Sequence, residues 1–174
     1  MISLYVLFWV FIFVFAFIGT VRQRHKELLV IPAVVTALLL IILLETFIPY
    51  LREGLTTRSS FWFRIAVLTS LSVAGYLAPN FIQKIKPLKI RRKRLDDILF
   101  GFIFGAINGY LIIGSAWYFL VDAGYPFAWV TAPEQVTAAG QNTSRLIELL
   151  PPQWLGTPII YFATAVSIIL AMVV

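Results

Sequence analysis

Side chains able to do chemistry are sparse in this sequence, and their spacing narrows what they could do. Asp96 and Asp97 are the one adjacent acid pair. Paired carboxylates suit general acid–base work, but such a site also needs a nucleophile or a second acid within reach, and none lies nearby in sequence. The pair instead opens an apolar run, where acids cap free backbone donors and favour the positive helix end. Glu45 and Arg64 fall inside two apolar runs at compatible depth, which predicts an ion pair at the outer membrane boundary. Acids inside membranes also mark proton paths, and Glu45, about one and a half turns from its helix end, also reaches the interface. His25 is the single histidine and there is no cysteine, so disulfides, thiolate metal sites and histidine clusters are excluded. No catalytic residue, metal or cofactor is expected.

Of the 174 residues, 60% are hydrophobic and 13% charged, too little polar surface for a soluble domain of this size. The class is all-α integral membrane, a single domain of five transmembrane helices. Spans are predicted at 2–20, 28–50, 61–82, 98–121 and 158–174, the last at the lower length limit with 17 residues. Alternating phenylalanines at 11, 13, 15 and 17 give the first run a strand-like period. A lone strand in lipid would leave its backbone unpaired, so a helix is expected. The charge of that run follows it rather than precedes it, which predicts a retained anchor and not a cleaved signal peptide.

Basic residues set the orientation. The segment after the first run holds Arg22, Arg24 and Lys26, and the loop 83–95 holds Lys84, Lys86, Lys89, Arg91, Arg92, Lys93 and Arg94. The other loops hold Arg52, Arg58 and Arg145. The richer loops are therefore cytoplasmic and the N-terminus outside. The net charge of +6 is concentrated beside apolar runs, which implies anionic lipid at the cytoplasmic face rather than nucleic acid. The same basic loop also serves simply as a topology determinant. In the outer segment 122–157, Leu146, Leu149, Leu150 and Trp154 are expected to lie in lipid along the surface. Trp62, Tyr118, Trp129, Trp154 and Tyr161 form an interfacial belt. The triplet Asn142–Ser144 fits both a glycosylation acceptor and a helix cap.

The fourth run contains glycine at 101, 105 and 109. Each costs about 1 kcal/mol against alanine in a helix. At about 100° per residue, Gly101, Gly105, Gly109, Asn108, Ser115, Ala116 and Asp97 share one face of roughly 120°. Small residues let membrane helices approach closely. The expected partner is the third run, where Ala66, Ser70, Ala74 and Ala78 recur every four residues. Asn108, on the same face near mid-membrane, needs a hydrogen-bond partner. Two readings stand: an interhelical bond that fixes register, or a polar lining for a substrate or ion path.

Two stretches, "VRQRHKELL" after the first run and "DDILFGFIFGAINGYLI", resemble the colicin V production protein (CvpA-like) family of bacterial inner-membrane proteins. In the first, Arg22, Lys26 and Glu27 match the family pattern and Gln23 replaces a glycine. In the second, Asp97, Gly101, Gly105 and Gly109 match and Asn108 stands where the family has arginine. The resemblance covers about residues 1 to 121. It implies a multi-pass protein of the bacterial inner membrane, linked to toxin production or export and envelope maintenance, with no known reaction.

The expected function is therefore a non-enzymatic scaffold or accessory subunit that engages a membrane protein or a second copy of itself. The alternative is a small transporter or channel component using Asn108, Glu45 and Ser70. No inverted repeat is present to support alternating access.

Overall fold

The computed structural model describes residues 4–22, 24–85, 95–127 and 138–173, and the elements among them are all helical. In chain order they are α1 (Leu4–Arg22), the short α2 (Arg24–Leu28), α3 (Val30–Phe47), a π turn at Tyr50–Gly54, α4 (Thr57–Ile85), α5 (Leu95–Asp122), α6 (Ala138–Glu148), α7 (Pro151–Trp154) and α8 (Ile159–Val173). Four segments are long and apolar enough to cross a membrane: Leu4–Arg22, Lys26–Phe47, Thr57–Pro79 and Leu95–Asp122. The fifth apolar helix, α8, has 15 residues, a length of about 22 Å against a hydrocarbon core of about 30 Å. The side chains of the basic run from Lys84 to Arg94, together with those of His25 and Trp129, lie outside the described residues.

α3 packs against α4, α5 and α8. Its Val30, Val34, Leu38 and Ile41 are buried against Leu68 of α4, Leu111 and Phe119 of α5 and Ile160 of α8. A second core joins Phe8 of α1 and Trp117 of α5 to Leu146 and Leu150 from the outer segment. α5 ends where Gly124 takes a positive φ of 63°. The turn closes with the Tyr125 amide donating to the Leu120 carbonyl at 3.0 Å, a geometry glycine adopts without steric cost.

The glycine strip of α5 packs against α1, not α4. A methyl group at Gly105 would meet the Phe15 carbonyl and lie 3.0 Å from Gly19 Cα and 3.1 Å from Ala16 Cα. One at Gly109 would lie 2.7 Å from Phe15 Cβ and 3.2 Å from Ile12 Cα. Rising numbers on α5 meet falling numbers on α1, so the two helices are antiparallel. The expectation that α4 fills this groove is corrected: Ala66, Ser70 and Ala74 are exposed. The physical reason lies in α4's own glycine. Gly75 is nine residues from Ala66, about 180° around the helix, and its backbone approaches Ala33 and Val30 of α3. Burying Gly75 against α3 turns the alanine ridge outward. Meanwhile α1 supplies Ala16 and Gly19, small residues at helical spacing, to α5.

A second correction concerns the outer segment. Residues 142–155 do not lie flat along the surface. Leu150 and Pro151 are buried, and a methyl at Gly114 would stand 2.7 Å from Pro151 Cδ. The Tyr110 hydroxyl donates to the Leu149 carbonyl and accepts from Trp154 Nε1 at 3.2 Å. Tyr110 lies twelve residues below the end of α5, so the α6–α7 turn descends about 18 Å along it. Leu149 and Trp154 remain exposed, as expected, but Leu146 and Leu150 face Phe8 and Trp117 rather than lipid.

Candidate functional site

From the other end, the chain between α1 and α3 also enters the bundle. The basic segment between the first two predicted spans instead places Glu27, fully buried, against Asn108. Asn108 is the fourteenth of the 28 residues of α5, about 20 Å from either end of that helix. A lone carboxylate at such a depth is very costly, so it must be paired and hydrogen-bonded. Here Asn108 Nδ2 donates to Glu27 Oε2 at 2.8 Å and to the Glu27 carbonyl at 3.0 Å. Arg22 Nε stands 3.0 Å from Glu27 Oε1. The Arg22 guanidinium also donates to the Tyr76 carbonyl at 2.9 Å and lies 4.6 Å from the centre of the Tyr76 ring. One charge of each sign, one amide and one aromatic face thus form a neutral cluster built by α1, α2, α4 and α5.

The connection is geometric. α1 ends at Arg22 and α3 begins at Val30. Between them, Arg24–Leu28 fold as the short helix α2, which packs against α5 and α4. Access is one-sided: the Arg22 side chain is 31% exposed while that of Glu27 is 0% exposed. Further toward the start of α5, Arg24 Nε pairs with Asp97 Oδ1 at 3.2 Å. Asp97 is thus an ion-pair partner as well as a first-turn acid, and Asp96 is exposed.

The second charged cluster lies at the opposite end of the bundle. Arg64 Nε donates to Glu45 Oε1 at 2.6 Å and Arg64 Nη2 to Glu45 Oε2 at 3.3 Å. Arg64 Nη1 donates to Asp122 Oδ2, and the guanidinium lies 5.6 Å from the centre of the Phe119 ring. The guanidinium fork suits this double engagement. Glu45 and Arg64 are each 18% exposed and Asp122 46%, so acid and base alike reach the edge here, whereas in the Glu27 cluster only Arg22 does. It contains two acids and one base. Among the described residues, no group of three or more His, Cys, Asp or Glu is placed to hold a metal.

Of the residues singled out by sequence, the structure brings together Glu45 with Arg64, Arg22 with Glu27 and Asn108, and the glycines with α1. Lys26 is half-buried, with no part in the Glu27 cluster. Ser70 is exposed and belongs to neither cluster. Asp122 was missed as the third member of the outer cluster. Its signal was present: it lies fourteen residues after Asn108, so the two share a helix face to within about 40°. Tyr110 was missed as well, because nothing local indicates that a distant polar segment would descend to meet it. Comparisons with protein-family models, with curated proteins and with solved structures give no match.

Proposed function

We propose that this protein is a multi-pass protein of the bacterial cytoplasmic membrane, of CvpA-like type, acting as a non-enzymatic scaffold or accessory subunit in toxin production or export or in envelope maintenance. In this reading α8 serves as a fifth, short span, the N-terminus lies outside, and Lys84 to Arg94 face anionic lipid on the cytoplasmic side.

The observation that carries the scaffold reading is the outward face of α4. Ala66, Thr69, Ser70, Val73 and Ala74 are exposed there, between the exposed Trp62 and Leu77 on the same face. By contrast, α1 exposes Trp9, Phe11, Phe13 and Phe17, and α8 exposes Phe162, Val166, Ile168 and Ile169. Bulky side chains fill lipid, whereas a small-residue ridge suits close approach of another helix. Of the residues that carry the resemblance, Arg22, Glu27 and the three glycines occupy contacts inside the bundle, Asp97 pairs with the exposed Arg24, and Lys26 joins neither set. The test is fluorescence transfer between labelled copies in liposomes, alongside co-purification from native membranes in mild detergent. Replacing Ser70 or Ala74 by leucine is expected to abolish association without unfolding the chain. Retention of self-association and of the partners bound by the wild type, in both variants, contradicts the reading.

A second reading, a small transporter or channel component, is favoured by one observation: Glu27 and Asn108 form a charged contact halfway along α5. Ionisable groups at that depth are expensive and most often functional. Unchanged ion flux in vesicles carrying Asn108→Ala removes this reading.

A further inference from the structure

Among the described residues, the buried polar atoms without a hydrogen-bond partner include Tyr76 Oη and Ser72 Oγ of α4 and Asn108 Oδ1 and Ser115 Oγ of α5. Two buried hydroxyls of α8 are instead bonded locally. Thr164 donates to the Ile160 carbonyl at 2.7 Å and Ser167 to the Thr164 carbonyl at 2.9 Å. Ser72 and Ser115 make no such bond, although they are only 5% and 0% exposed. Buried polar atoms without a protein partner are ordinarily satisfied by internal water.

These atoms are aligned. Asp97, Asn108, Ser115 and Asp122 fall within about 40° of one another on α5. Ser115 lies seven residues from Asn108 and seven from Asp122, about 10 Å each way. On α4, Ser72 lies one turn from Tyr76 and two turns from Arg64. Polar groups therefore recur from one end of the bundle to the other: Arg24 with Asp97, then Arg22, Glu27 and Asn108, then Ser72 and Ser115, then Arg64 with Glu45 and Asp122. Leu68, Leu111 and Phe119 pack between the two charged clusters and make the central stretch narrow.

We propose that this seam carries protons across the membrane, with Glu27 as the central acceptor and water held by Ser72 and Ser115 linking it to Glu45 and Asp122. The inference rests on the channel-component reading above. A metal cation suits the seam poorly, because Arg22 stands 3.0 Å from Glu27 and Arg64 bridges both outer acids. A proton adds to a carboxylate oxygen without displacing either guanidinium. Hydronium gives a proton to Glu27 Oε1 and leaves water. The carboxyl O–H then breaks toward a water oxygen, restoring the ion pair with Arg22. Each Ser115 relay step accepts one proton and releases one, and Glu45 or Asp122 receives the last. No electrons move. The groups facing Glu27 are Arg22 from α1, Tyr76 from α4 and Asn108 from α5. Its own short helix adds Arg24, His25 and Lys26 in sequence, and α3 has no charged side chain before Glu45.

The test uses the full chain in vesicles of phosphatidylcholine and phosphatidylglycerol, with a trapped pH-sensitive dye and an imposed potassium diffusion potential. Wild-type vesicles are expected to change internal pH. Glu27→Gln is expected to fall to the level of protein-free vesicles and Ser115→Ala to fall most of the way, while Gly156→Ala, where an added methyl meets nothing within 4 Å, keeps wild-type flux. Infrared difference spectra of the wild type are expected to show a buried carboxyl whose carbonyl band titrates with pH. This band remains decisive if Glu27→Gln does not assemble. Equal proton flux in the wild type and in an assembled Glu27→Gln, or the absence of that band, overturns the proposal. Flux of potassium or sodium without protons overturns the proton inference and leaves the channel reading standing. Absence of flux of any ion overturns both.

Discussion

Glu27 and Asn108 are 81 residues apart in sequence, and the amide of one donates to the carboxylate of the other at 2.8 Å in the middle of α5. The contact has two consequences. It draws the α1–α3 connection inside the bundle, and it commits a charge to a place where only its partners make it tolerable. Removing Asn108 leaves Glu27 Oε2 without its donor. A double-mutant cycle between Asn108→Ala and Glu27→Ala is expected to give a coupling of about 1 kcal/mol, within the range measured for hydrogen bonds between membrane helices. Reversible unfolding in detergent–lipid mixtures measures it, and a coupling indistinguishable from zero contradicts the contact.

Gly105→Ala should destabilise the chain even though alanine is the better helix former by about 1 kcal/mol. The added methyl would meet the Phe15 carbonyl and the Gly19 and Ala16 Cα atoms, so α1 must withdraw. Gly156→Ala is the control, since nothing lies within 4 Å of a methyl there. Thermal melts should show a clear loss for the first and little change for the second. Equal melting temperatures would mean that α1 does not sit in the groove.

Arg64 bridges two acids, so its loss should matter more than the loss of either. Arg64→Met leaves Glu45 and Asp122 facing each other unpaired. Breaking a buried pair costs about 3–5 kcal/mol, and the partial exposure of this cluster reduces that figure. Asp122→Asn, at the more exposed end, should cost less than about 1 kcal/mol. Stability measured across the two variants should follow that order, and the reverse order would place the pairing elsewhere.

Tyr110→Phe removes the hydroxyl that donates to Leu149 and accepts from Trp154, while leaving the ring. The α6–α7 turn then keeps its Pro151 contact with Gly114 but loses a polar anchor. Hydrogen exchange at residues 146–155 should accelerate with α5 unaffected. Unchanged exchange would show that apolar packing of Leu146 and Leu150 holds the turn alone.

The membrane-helix content is legible in the sequence because apolar run length alone decides it. Glycines at 101, 105 and 109 mark the contact face of α5 for an equally local reason, since spacing by four puts them on one side. The partner of that face is not legible. Small residues recur on α1 and α4 alike, and spacing within one helix does not rank the candidates. The decision comes from Gly75, whose burial on α3 rotates the alanine ridge of α4 outward. The inward turn at Glu27 is hidden for another reason: a short basic segment after a span reads as a loop by its charge, and only the three-dimensional proximity of Asn108 and Tyr76 reverses that. The descent of residues 142–155 is hidden likewise, because an amphipathic helix looks the same whether its apolar side meets lipid or Trp117.

The absence of native cysteine makes the most direct test clean. Cysteines introduced in place of Glu27 and Asn108 should form a disulfide on mild oxidation in native membranes, while a pair at Ala74 and Gly105 should not. Efficient cross-linking of 74 to 105, with none between 27 and 108, would contradict the account.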